Sequence, residues 1–174
     1  MSLVAVLALS QMALFNKPDT AKIDADATVA LNRLYSQSPT VAQLGAKAKG
    51  ILIFPDVLKA GFVFGAHRGN GVLRVNGKDV GYYNTTAGSF GLQAGAQKFA
   101  YIIFIMTDQA MSRLHDSRGW EIGTDPNVVL VDAGMAAQLT TTTAPKGVYA
   151  FVLDQRGLMA GISLQGAKIS EIHP

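Results

Sequence analysis

Ten of the chain's eighteen glycines fall between Gly50 and Gly95, where short apolar runs replace the helical spacing that precedes them. Glycine inside a strand weakens it unless it permits a bend, a bulge or a close backbone approach. So many in so short a stretch predict a strongly curved sheet that closes towards a barrel. The runs Ile51–Phe54, Phe62–Ala66, Val72–Val75 and Val80–Tyr83 read as short strands. Asn76-Gly77 between the last two is a strong hairpin signal, because both residues tolerate positive φ. Arg68-Gly69-Asn70-Gly71 reads as another turn. Ser89–Gln97 alternates small and larger residues, and Tyr101–Met106 is a fully apolar strand. Asn127–Val131, Val148–Leu153 and Leu158–Leu164 complete the set, the last two joined by a turn at Asp154–Gly157. Strands that follow one another by tight turns leave no room for crossover helices, so the sheet is expected to be mainly antiparallel.

Two helices precede the sheet. Ile23, Ala27, Ala30, Leu31 and Leu34 recur at helical spacing, with Lys22, Asp24, Asp26 and Arg33 outside the stripe. Ser38 then serves as N-cap and Pro39 as first residue of a second helix, with Val41, Leu44 and Ala48 on its apolar side and Gly50 as its stop. A third, short helix is expected from a Thr107-Asp108 cap through Ser117. The fold class that follows is α+β, with the N-terminal helices covering one face or one opening of the curved sheet.

Composition supports one compact unit. The 174 residues are 49% hydrophobic and 16% charged, which excludes a disordered chain. At this length about 70% of the unfolded surface can leave water. With no cysteine, neither a disulfide nor a thiolate metal site is available. Leu3–Phe15 is uncharged and apolar nearly all round. As a helix of about 1.5 Å per residue it would span roughly 20 Å, short of the ~30 Å hydrocarbon core. Residues 1–16 are therefore read as a leader, either a truncated secretory signal or a docked helix. Residues 17–174 form a single domain.

Net charge is only +3, yet residues 47–98 hold seven lysines and arginines against two aspartates. A local basic surface of this kind attracts phosphate on lipid, nucleic acid or an acidic protein. Catalytic patterns fail on spacing. Gly71–Asp79 has five residues between its glycines where a phosphate loop needs four, and Asp79 stands where Ser or Thr should bind magnesium. Ala87-Gly88-Ser89-Phe90-Gly91 lacks the first glycine of a nucleophile elbow. His67, His115 and His173 are far apart and begin no metal-ligand spacing, so no metal and no cofactor is expected. Phe62, Phe64, Tyr82 and Tyr83 at strand spacing read as core and surface rings, which leaves no case for nucleic acid.

A set of motifs in fixed order carries more information than any single one. Lys47–Gly50, Ile53–Val57, Lys59–Phe62, Gly81–Tyr83 and Gly91–Gln97 are followed by Phe104–Thr107, Gly119–Gly123 and Gly157–Leu164. From about Ala21 to Ile172 the chain closely resembles the SYLF domain, an actin-regulator domain also found in many bacterial proteins. The resemblance implies binding without catalysis. Animal and fungal SYLF domains associate with phosphoinositide-rich membranes, and some fungal members bind and bundle actin filaments. With no adaptor module after Pro174, the chain is similar to the stand-alone bacterial form, which is commonly exported or lipid-anchored. A periplasmic or membrane-associated location in the cell envelope is therefore expected, with anionic phospholipid as the ligand class. Actin is a partner by resemblance alone. The alternative is a structural or interaction protein of the envelope. Both the resemblance and the basic excess point to Lys47 and Lys49, at the end of the second helix, and to Lys59, in the loop that follows Pro55–Leu58.

Overall fold

The computed structural model describes residues 17–61, 64–90, 96–116, 118–139, 146–159 and 166–174, with side chains in all but the strand positions 59–67 and 88–97. The apolar leader, much of the alternating run at 89–97 and the end of the expected strand at 158–164 lie outside the described residues. No described helix is long and apolar enough to cross a membrane.

Helix α1 (Thr20–Gln37) begins where Asp19 accepts a hydrogen bond from the Lys22 backbone at 3.1 Å. It buries Ile23, Ala27, Ala30 and Leu34, one stripe at 3.6-residue spacing. Helix α2 (Pro39–Ala46) starts as its sequence implies, with the Ser38 hydroxyl accepting from Val41 at 3.3 Å and Pro39 in the first turn. It stops four residues before Gly50. The Lys47 N–H closes the last turn onto Leu44, and Gly50 opens the first strand, paired with Ile105.

Strands β1 (Gly50–Gly61), β2 (Phe64–Val75), β3 (Lys78–Phe90) and β4 (Ala96–Ile105) are each ten or more residues long, longer than the apolar runs that announce them. Consecutive β1, β2 and β3 pair antiparallel, and β4 pairs with β1. Asn76 and Gly77 turn the β2–β3 hairpin with φ of 53° and 77°, the positive pair that suits the twist of the flanking strands. Arg68–Gly71, by contrast, is no turn: it runs through the middle of β2. Its glycines lie against a bulge of β1, where Pro55 and Asp56 insert one extra residue against both neighbours. Proline has no N–H to give the ladder, so the bulge falls where pairing would fail anyway.

Helix α3 (Asp108–Leu114) is capped by the Thr107 hydroxyl, which accepts from Ala110 at 3.2 Å. Strand β5 (Val128–Val131), helix α4 (Ala133–Gln138), strands β6 (Val148–Asp154), β7 (Gly157–Leu158) and β8 (Lys168–Ile172) follow. The sheet runs β5-β6-β4-β1-β2-β3-β8, with β7 paired to the end of β6. Among the described residues all pairs are antiparallel except β5 with β6, whose connection carries α4.

Among the described residues the sheet does not close into a barrel: its outer strands are β5 and β8, which do not pair. One face is covered by Ala110 and Leu114 of α3, Trp120 and Ile122, packed on Leu52, Tyr101, Ile103 and Val152. Trp120, which is buried, bridges antiparallel to Ile169 of β8 and holds that edge. On the other face α1, α2 and α4 cover Ile53, Ile102, Phe104 and Phe151. From Phe99 to Ile105 β4 is buried on both sides, as is β6 from Val148 to Leu153, which accounts for their uninterrupted apolar runs.

Candidate functional site

The bulge at Pro55-Asp56 lies beneath α1 and opens a groove of about 380 Å³ along the helix flank. Pro55 and Ala100 lie along it together with Lys22, Asp26 and Arg33 of α1, Asp56 of β1 and Lys98 of β4. Lys22 contacts Asp26 one turn on and lies 3.5 Å from Asp56, so one ammonium serves both acids. That hydrogen bond with Asp26 raises the Lys22 ammonium above its ordinary range and holds the Asp26 carboxyl below its own. Arg33 donates to the Asp154 carbonyl at 2.6 Å. Lys98, exposed at the margin, makes no ion pair among the described residues.

The three lysines singled out by sequence do not converge. Lys47 is the C-cap of α2 and exposed. The Lys49 backbone donates to Ile105 at 2.8 Å, and its ammonium lies 3.2 Å from Asp108 at the start of α3. Lys59 is not in a loop. It sits within β1, opposite His67 and Gln97, because that strand continues seven residues beyond Phe54. Ten residues of strand at about 3.3 Å each put it roughly 30 Å from Lys49.

Elsewhere the acids of the basic stretch are also engaged. Asp79 accepts from the Arg74 guanidinium at 2.6 Å. A second Arg74 nitrogen donates to the Asp24 carbonyl at 2.8 Å, and the Tyr82 hydroxyl reaches the Asp24 carboxylate at 3.0 Å, tying α1 to the hairpin. Burial works to raise the Asp125 carboxyl. Donation from the Asn127 backbone, from Trp120 Nε1 at 3.0 Å and from Arg113 outweighs it, so the group lies below its ordinary range. His115 at the end of α3 places Nδ1 3.4 Å from the Tyr83 hydroxyl. No three His, Asp or Glu side chains among the described residues stand close enough to hold a metal.

Arg68 joins Lys98 as an exposed cation with no ion pair among the described residues. Sequence reasoning counted both in the basic excess without singling them out. The hairpin turn offered a partial signal for Arg68, since it fixes which residues of β3 stand beside β2. Nothing local signals that Lys98 approaches the same place, because β4 joins β1 across some forty intervening residues.

A family model described as Ysc84, Las17-binding protein actin regulator, matches residues 86–173, just over half of the chain. The chain belongs to the Ysc84 (SYLF) domain family. It is 29% identical over 157 residues to the Beta cell expansion factor A of Aeromonas veronii, covering 87% of this chain and 58% of that protein. Against Protein YSC84 of Saccharomyces cerevisiae it is 26% identical over 132 residues, covering 72% of this chain and 28% of the relative. The LAS seventeen-binding protein 3 of the same yeast matches to the same extent. This SYLF chain therefore spans less than two thirds of the length of these relatives.

Proposed function

We propose that this SYLF domain is a non-enzymatic module that binds the anionic phospholipid of a membrane surface, in the cell envelope and after export. One observation carries the reading. Asp56 is engaged by Lys22, Asp79 by Arg74 and Asp108 by Lys49, while Arg68 and Lys98 are exposed without an ion pair among the described residues. A surface whose acids are neutralised within the fold presents its remaining cations to an external anion. Lys59 belongs to the β1 segment beside them, whereas Lys47 and Lys49 stand at the opposite end of that strand.

Family membership favours a second reading, a protein-interaction domain, since the family is described as Las17-binding and as an actin regulator. Cosedimentation separates the two. The lipid reading expects the chain to pellet with vesicles containing phosphatidylglycerol or phosphatidylserine at low salt, to be released as salt rises, and to ignore pure phosphatidylcholine. Equal recovery with neutral and anionic vesicles, or none with either, overturns it. Saturable pelleting with actin filaments alone supports the second.

A further inference from the structure

The strand registers align five exposed side chains in one row across the sheet. Lys98 of β4 pairs with Leu58 of β1, Leu58 with Arg68 of β2, Arg68 with Thr86 of β3, and Thr86 with Lys168 of β8. Directly paired residues project to one face. Here it is the face that also carries Ile53, Val72 and Ile102 beneath α1, but the helix leaves the row itself uncovered. Strand spacing of about 4.8 Å makes the row roughly 19 Å long, with a cation at each end and one in the middle. None of the three makes an ion pair among the described residues. Between Lys98 and Arg68 stands Leu58, a large apolar side chain 43% exposed.

We propose that this row is the membrane-docking face of the domain, an inference that rests on the anionic-lipid reading above. Cations roughly 10 Å apart, separated by uncharged side chains, suit separate phosphates in a plane better than one compact ligand. Leu58 decides between a lipid surface and a soluble polyanion. An apolar side chain amid cations is exposed to water in a complex with an acidic chain, whereas at a bilayer it enters the boundary between headgroups and acyl chains. Lys98, Arg68 and Lys168 would meet lipid phosphates while Leu58 inserts.

The absence of cysteine makes a direct test available. Leu58→Cys is labelled with a polarity-sensitive fluorophore. Val80→Cys serves as control: it is 58% exposed and lies six residues along β3 from Thr86, about 20 Å away. With vesicles of phosphatidylcholine and phosphatidylglycerol at low salt, the label at 58 should shift to the blue while that at 80 stays unchanged. In sedimentation, Arg68→Glu/Lys98→Glu/Lys168→Glu should lose at least about a hundredfold in affinity. Lys47→Glu/Lys49→Glu should stay within about threefold of the parent. All these positions are exposed, and a melting curve establishes that each variant is folded. Parent binding with a silent label at 58, or an equal loss from the helix-end pair, overturns the row and leaves the lipid reading intact. A blue shift with soluble polyglutamate and none with vesicles also overturns it, in favour of an acidic protein. Failure of the parent chain to bind any anionic vesicle overturns the reading and the row together.

Discussion

Replacing Gly71 by alanine tests the close approach of β2 to the bulge of β1. A Cβ built at Gly71 would fall inside contact with the Ile53 carbonyl and 2.5 Å from Cδ1 of Phe54. Neither neighbour can step aside. The carbonyl belongs to the backbone of the bulge, and the Phe54 ring is fully buried. Overpacking of this kind costs about 1–3 kcal/mol, and two unyielding contacts place it near the upper end. Against that, alanine loses less backbone entropy than glycine on folding, a gain of roughly 0.5–1 kcal/mol. The net loss is therefore about 2 kcal/mol, which for a domain of this size lowers the melting temperature by about 4–8 °C. Two comparison variants isolate the cause. At Gly81 a Cβ would meet only the Tyr83 ring, at 3.4 Å, an ordinary contact, so Gly81→Ala should melt at or slightly above the parent. At Gly77 space is open but φ is +77°, so Gly77→Ala should cost about 1–2 kcal/mol from backbone strain alone. Thermal melts followed by circular dichroism rank the three. A Gly71→Ala protein that melts within 1 °C of Gly81→Ala would refute the assignment of this glycine to the bulge.

Two further outcomes follow from titrating groups. Asp125 is held below its ordinary range, so between its unfolded pKa of about 3.9 and its lower folded value the unfolded chain binds more protons. Stability should fall with acidification through that window, and Asp125→Ala should melt lower at pH 7 yet show a flatter dependence below pH 5. A parallel pair of curves would remove Asp125 from the acid response. Burial pushes Tyr83 and Tyr101 up to about 12. The folded state keeps protons that the unfolded chain releases near pH 10, so stability declines as pH rises from about 10 to 12. Tyr35 and Tyr82 are also raised, first by burial. Absorbance at 295 nm should therefore show Tyr83 and Tyr101 ionising last, and full ionisation of all five tyrosines by pH 11 in folded protein would contradict their burial.

Local signals were legible where the chemistry is local. Ser38-Pro39 caps α2 and Thr107 caps α3 because a hydroxyl can reach an N–H three residues on without help from the rest of the chain. Asn76-Gly77 sets its hairpin for a similar reason. Arg68–Gly71 misled because the same glycines that permit turns also permit a strand to pass close to its neighbour, and only the position of Pro55 on β1 distinguishes the two. The closure expected of the sheet failed on a comparable point. Glycine spacing says nothing of whether the edges meet; that depends on what packs on each face, here α3 and Trp120 on one of them. Of the candidate site, sequence located the basic stretch without its geometry. The resemblance and the basic excess grouped Lys59 with Lys47 and Lys49, whereas a long extended strand separates them.

The sequence by itself determined the α+β class, the family, the caps, the first helix stripe and the antiparallel run of β1 to β3, since these rest on period, turn chemistry and ordered motifs. Only the tertiary structure decided that β4 lies beside β1, that β5 runs parallel to β6, and that β8 closes against Trp120. Each of these joins segments far apart in the chain, and apolar strands of similar length offer many registers of nearly equal local merit. The choice among them is made by packing on both faces at once. The same choice brings Lys98, Arg68 and Lys168, from three strands, into one row, because a cross-strand row is a property of register and register is settled by the whole sheet.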